Sequence, residues 1–220
     1  MDMYPIYFLT SNNGKVATMR KWVEPLGIKV KKYRKKIDVP ERKLPTVEEV
    51  AKYKVIDIYR IIKAPFVVQD SGFFIEALPG YPGPDVNRVL STIGIPGLLA
   101  MIPQEMEKRG CYFEDILAFW SPTFGDPMKP AIFRSTVHGK LAYEPSENLR
   151  PEAWSKLWTV FQPDGFESTL AAMNQDEQKR FGREVRSAAK SNCFVAFASW
   201  MKSHLHYLYT QTSFDGINEN

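Results

Sequence analysis

The chain has 220 residues, 44% of them hydrophobic, and a formal net charge of +4. That is enough for one sizeable core, with a second lobe allowed but not required, and no linker-like stretch divides it. Two cysteines, Cys111 and Cys193, cannot build a disulfide framework and lack metal-ligand spacing, so both are expected as buried thiols in a reducing, cytoplasmic setting. Met1 to Pro5 is neither basic nor followed by a long apolar region, so no secretion signal or membrane span is expected.

In chain order, Ile6 to Leu9 is predicted as a buried strand, followed by the loop Thr10-Ser11-Asn12-Asn13-Gly14-Lys15 and by a helix from Val16 to Val23 with apolar residues at helical spacing. Strand, loop and helix form a βα unit whose helix N-terminus offers free backbone N–H groups and a positive dipole end to an anion. Thr10 and Asn12 add side-chain donors, Gly14 lets the backbone approach closely, and Lys15 brings a point charge within reach of a phosphate. The glycine spacing and Lys-Ser/Thr pair of a P-loop are absent, and a capped helix with a surface lysine explains the same residues.

Residues 1–44 hold 11 Lys/Arg against 4 Asp/Glu, a net +7 that leaves −3 on the remainder. The run Lys31 to Lys36, interleaved with Ile28, Val30 and Tyr33, fits a lysine-guarded edge strand better than a nucleic-acid patch. Beyond it, Asp38 and Glu41 flank Pro40, either as ordinary solvated charges or as carboxylates for a divalent ion, which needs only one or two from the protein. Thr46 with Glu49 is a capping box opening a helix to about Ile62 that carries Lys54.

Val67 to Gln69 then delivers Asp70 to the end of an apolar strand and the start of a glycine-rich turn, Ser71-Gly72. An Asp after a strand is often a turn former; at the strand ends of an open α/β sheet it is also where ligands bind. A carboxylate and a phosphate-type loop on two strand ends point to a nucleotide enzyme.

Phe113 to Trp120 and Ala131 to Val137 are predicted as strands joined by the turn Gly125-Asp126-Pro127, with His138 as a turn residue. Asn174 with Glu177 caps one long helix whose apolar face runs from Phe181 through Val185, Ala188, Phe194 and Phe197 to Met201. Lys179, Arg183 and Arg186 on that helix are a solvated basic face or substrate contacts. His204 and His206, without a third ligand, are expected as surface residues beside a polar tail, 206–220. Residues 1–205 form the single domain.

Thr10 to Lys15, Lys36 to Glu41, the segment Asp70 to Pro84 and Phe161 to Phe166 together resemble the inosine/xanthosine triphosphate pyrophosphatase family, in order and in spacing, over roughly residues 5–190. The resemblance implies an α/β fold with an elongated mixed β-sheet flanked by helices, two lobes and a central cleft. It implies hydrolysis of a nucleoside triphosphate to monophosphate and pyrophosphate with magnesium (Mg2+), by a homodimer.

Carried over by position, the loop residues Thr10, Ser11, Asn12, Asn13, Gly14 and Lys15 bind the triphosphate, with Lys54 and Ser71 as further phosphate contacts. Glu41 and Asp70 hold the metal or activate water, and Lys179 lies near the base. Three departures follow. Gln69 stands where the family has Glu, removing a charge beside the metal. Of the family's Phe-Gly-Trp-Asp-Pro, only Trp158 remains as a base-stacking platform, in Lys156 to Val160. The family's Ser-His-Arg falls near Arg183-Glu184-Val185, without the histidine. Hydrolytic residues are kept while base-reading residues change, which leaves open a modified or pyrimidine nucleotide as substrate, a monophosphate included, or a catalytically silent nucleotide binder.

Overall fold

The structure, a computed structural model, describes residues 4–34, 37–40, 42–147, 153 and 155–210. β1 (Tyr4–Phe8) leads into α1 (Asn13–Val23), β2 (Ile28–Lys32), α2 (Val47–Tyr59), β3 (Phe66–Ile75) and β4 (Leu78–Gly83). α3 (Val86–Thr92), α4 (Gly94–Ala100), β5 (Gly110–Trp120), β6 (Ala131–Leu141), β7 (Phe161–Pro163), α5 (Gln175–Glu184) and α6 (Cys193–Thr210) follow. Among the described residues seven strands form one mixed sheet in the order β2-β1-β3-β5-β6-β7, with β4 paired to β3. The α/β fold with an extended mixed sheet is therefore as expected.

β3 is the spine of the molecule. Its first residues, Phe66 and Val67, run parallel to β1, its last, Phe73 to Ile75, pair antiparallel with β4, and its whole length pairs with β5. Two lobes form around its ends. The helices α1 and α6 cover one sheet face of the first lobe, where Met19, Val23, Phe119, Phe197 and Met201 are buried together. α2 covers the opposite face through Val47, Ala51, Val55 and Ile58 on Phe66, Val68 and Ile116. The second lobe packs α3, α4 and α5 on Phe73, Phe113, Trp158 and Phe161. Truncating a fully buried aromatic such as Phe197 to alanine costs about 3–5 kcal/mol, so α6 is fixed firmly to the sheet.

Several boundaries differ from expectation for local reasons. β2 is an edge strand, as its lysines indicate, and ends at Lys32. Thr46 caps α2 by accepting from the Glu49 N–H, and the helix stops at Tyr59. β5 and β6 are longer than predicted: His138 is inside β6 opposite Tyr112, not in a turn. The single long helix is two. Ser187, Ser191 and Asn192 donate to the carbonyls of Gly182, Val185 and Arg186, so side chains capture backbone acceptors across 185–192. Asn192 then accepts from the Phe194 N–H and restarts the chain as α6. That helix runs to Thr210, into the segment expected as a polar tail; His204 stacks on Trp200 with ring centres 4.1 Å apart. Among the described residues no helix is long and apolar enough to cross a membrane.

Candidate active site

The site begins with a gap in the sheet. β1 pairs with β3 only as far as Val67 and β4 joins only at Phe73. Between them, among the described residues, Gln69, Asp70, Ser71 and Gly72 pair with β5 alone, and Lys15 from the start of α1 reaches Ser71. Asp70 is thus in mid-strand, not at a strand end before a turn. What makes it reachable is the lost neighbour. Gly72 is required here: a Cβ would stand 2.6 Å from Val47 Cγ2 and 3.2 Å from the Gly83 carbonyl, so only glycine lets α2 and β4 close on β3.

Strand alternation sends successive side chains to opposite faces. On the α2 face the Lys54 ammonium forms an ion pair with Asp70 Oδ1. Asp70 Oδ2 is buried with no hydrogen-bond partner among the described residues. On the other face Lys15 Nζ donates to Ser71 Oγ at 3.4 Å, and Ser71 Oγ donates to Asp115 Oδ1 from β5. Burial pushes the Asp115 carboxyl above the usual carboxylate range, and the Lys15 charge with hydrogen bonds from Ser71 and Gln69 pulls it partly back. Gln69 Nε2 points to Cys193 Sγ at 3.8 Å. Burial, reinforced by Asp115, pushes the Cys193 thiol up, so it is a neutral wall of the site rather than a nucleophile.

The loop is held from three sides. Asn12 Oδ1 accepts from the Gly14 and Lys15 N–H groups at 2.8 and 3.2 Å, which is the helix-cap role. That leaves the Asn12 amide N–H₂ as donor. Thr10 Oγ1 accepts from the Asn12 N–H, and Lys32 Nζ from the neighbouring strand donates to the Ser11 carbonyl and to Asn13 Oδ1 at 2.9 and 2.6 Å. Lys32 therefore braces the loop, a role its place in a lysine-rich edge run disguises.

Two concavities flank the loop. A groove of about 770 Å³ is lined by Thr10, Ser11, Asn13, Lys32, Arg34, Lys54 and Gln69. A cavity of about 290 Å³ lies across from it, with Asn12, Gly14, Lys15 and Asp115 at one end and Phe113, Trp158, Phe161, Phe181 and Arg186 at the other. Trp158 is only 2% exposed, and the Arg186 guanidinium lies 5.3 Å from the ring centres of both Trp158 and Phe181. The tryptophan is thus a wall already covered by a cation, not an open platform.

Arg186, Ser191, Asn192 and Cys193 line this cavity, whereas Arg183 in the last turn of α5 is exposed and does not. Lys179 is 67% exposed and faces Asp176 at 3.5 Å, also off the cavity. Both Lys179 and Arg183 lie on α5, whose buried position is Phe181, and so face away from the cavity. Glu41 lies outside the described residues. Asp115 and Lys32 have no site role in the sequence reading, whereas Arg186 enters it as one of three basic residues read as a solvated face or as substrate contacts.

A capped helix-start loop and a lysine-flanked strand gap, opening beside an aromatic cavity, form the candidate site of this α/β protein. The Ham1 family model matches residues 6–196. A dITP/XTP pyrophosphatase of Thermococcus kodakarensis is 36% identical over 198 residues, 90% of this chain and 97% of that one. One from Hyperthermus butylicus is 31% identical over 189 residues, 86% of this chain and 93% of that one. A solved structure of a HAM1 protein from Coxiella burnetii superposes with a TM-score of 0.71 at 20% identity, covering 91% of this chain and all of that one, 100%, which shows the shared fold. The chain belongs to the Ham1 family. The pyrophosphatase reading of its motifs agrees with what these relatives are named for.

Proposed function

We propose that this chain hydrolyses a non-standard purine nucleoside triphosphate, of the dITP or XTP class, to the monophosphate and pyrophosphate. The observation that carries the reading is the strand gap at Gln69–Gly72, with Lys15 on one face, Lys54 on the other and a carboxylate oxygen of Asp70 left without a partner among the described residues. The relatives named dITP/XTP pyrophosphatases support the substrate class.

A buried carboxylate oxygen with no donor fits a hard divalent cation, which prefers oxygen ligands and takes most of its shell from water and phosphate. Among the described residues no group of three or more His, Cys, Asp and Glu is assembled, in keeping with an ion shared with the substrate. Asp70 would hold the ion, magnesium in this proposal, with Glu41 as the second carboxylate. The ion supplies neutralising charge to the phosphate oxygens. Asp70 also orients the water that attacks the phosphorus whose bond to the pyrophosphate oxygen breaks. Lys15 and Lys54 then stabilise the charge that collects on the departing pyrophosphate. The cavity of Trp158, Phe181 and Arg186 takes the nucleoside. A homodimer in the cytoplasm completes the proposal; the two buried free thiols support a reducing compartment.

The test is product analysis with magnesium across dITP, XTP, ITP, ATP and CTP. Monophosphate and pyrophosphate in equal amounts are expected, and orthophosphate in place of pyrophosphate would overturn the reaction. Because the cavity is walled by aromatic rings and the Arg186 guanidinium over them, kcat/KM for ITP should exceed that for ATP by much less than the roughly 10⁴-fold a dedicated hydrogen-bonding site achieves. Discrimination of that full size would show that groups such as Arg186 and Asn192 read the base edge directly.

A further inference from the structure

Asp115 has no part in the scheme above, yet it is the one acidic residue among those lining the cavity. Its place follows from register: Ser71 is directly opposite Asp115 in the antiparallel β3–β5 pair, and Gln69, two residues back, shares the same face. Three polar side chains are thus gathered beside Lys15. The donors run in one direction, from the Lys15 ammonium to Ser71 Oγ and from Ser71 to Asp115 Oδ1. A hydroxyl has a single proton. Once Asp115 takes it, the Ser71 lone pairs are turned to the ammonium, and Lys15 is held at the mouth of the cavity instead of ranging over its four-carbon stem.

Gln69 completes the cluster. Its amide approaches Asp115 on one side and Cys193 Sγ at 3.8 Å on the other, while its Oε1 is buried without a hydrogen-bond partner among the described residues. A carboxylate at position 69 would put two like charges side by side in a recessed cavity, with one lysine between them.

We propose that Asp115 is a positioning residue which, through the Ser71 hydroxyl, fixes the Lys15 ammonium for the transition state, and that its charge is the reason residue 69 is an amide. The negative charge of this face sits on β5 instead of β3. This inference rests on the pyrophosphohydrolase reading for its kinetic arm and on the geometry alone for its stability arm.

The experiment is an exchange: Asp115→Asn, Gln69→Glu and the double variant, each assayed for kcat and KM with magnesium and dITP, and for Tm. Asp115→Asn keeps shape and acceptor but replaces a charge-assisted bond by a neutral one. It should lower kcat roughly tenfold with KM changed less than about threefold, since Lys15 acts on charge that develops in the transition state. Gln69→Glu alone should lower both kcat and Tm. The double variant should recover most of both, a coupling that independent sites do not show. Parental kcat in Asp115→Asn, parental Tm and kcat in Gln69→Glu, or a double variant no better than the worse single would each overturn the proposal. A parent that releases no pyrophosphate from any nucleotide would sink the proposed function, while recovery of Tm in the double variant still decides the exchange.

Discussion

The two faces of β3 at the strand gap solve the same problem differently. On the α2 face, Asp70 meets Lys54 directly, a carboxylate and an ammonium in contact with one carboxylate oxygen left over. On the α1 face the carboxylate and the lysine never touch; Asp115 and Lys15 are joined through Ser71 and crowded by Gln69 and Cys193. A direct pair shares a single bond and leaves lone pairs for an ion. A relayed one spends its acceptor on orientation and leaves the ammonium for the substrate. The difference supports the proposal that the metal is held on the first face, where Lys54 also meets phosphate, while the second face meets phosphate through Lys15 together with the nucleoside.

The sharpest way to break that division is Asp70→Asn. It preserves size and removes the charge, so the fold should hold while kcat/KM falls by about 10²–10³-fold, the scale of losing one preorganised electrostatic group. Pyrophosphate release, with circular dichroism as the check on folding, reads it. Turnover near that of the parent would take Asp70 out of the reaction.

Next come the two lysines. Each makes charge-assisted contacts worth about 1.5–3 kcal/mol, so Lys15→Ala and Lys54→Ala should each lose roughly 10–100-fold in kcat/KM. Lys54→Ala should in addition change the magnesium concentration needed for half-maximal rate, because it frees the second oxygen of Asp70. Lys15→Ala should leave that concentration alone. An identical magnesium dependence in both variants would erase the distinction between the faces.

At the proposed nucleoside cavity the contrast is between residues of α5 and those just beyond it. Arg186→Ala removes a guanidinium lying over two aromatic rings and should raise KM several-fold, consistent with cation–π contacts of about 0.5–2 kcal/mol. Lys179→Ala and Arg183→Ala, both exposed and off the cavity, should stay within about twofold of the parent. If Lys179→Ala is the more damaging, α5 turns inward when substrate binds.

Those cavity residues also mark how far the sequence could be read. The residues of the proposed phosphate side are easy to gather from the sequence because a loop of six consecutive residues and one strand carry most of them: Asn12 caps the helix next to Lys15, and Asp70 and Ser71 are neighbours. Lys54 was found through a family resemblance, at the helix position where it meets Asp70. The proposed nucleoside side is assembled from β5, a 3₁₀ turn at Lys156–Thr159, and the segment between α5 and α6. Its selection depends on where a helix breaks. Hydrophobic spacing from Phe181 to Met201 is continuous, so periodicity predicts one helix; the break comes from Ser187, Ser191 and Asn192 competing for carbonyls, which spacing does not record. Asp115 was invisible for a similar reason. Within Phe113 to Trp120 it reads as the polar member of a strand, and only the register with Ser71 gives it a role.

The smallest effect separates the two carboxylates by pH. Burial raises the Asp115 carboxyl, so the folded protein holds that proton more tightly than the unfolded chain, whose Asp titrates near 3.9. By linkage the stability owed to this proton is fully present below the unfolded value and is lost as pH rises through the raised folded value. Asp115→Asn, which cannot ionise, lacks that loss. The Tm of the parent minus that of Asp115→Asn should therefore be largest at the acid end of the range and shrink as pH rises toward neutral. The measurement is a pair of thermal melts across pH 4 to 8 at fixed salt. A difference that grows with pH instead would mean that Lys15 and Ser71 outweigh burial, making the Asp115–Lys15 relay as strong a pair as Asp70 and Lys54.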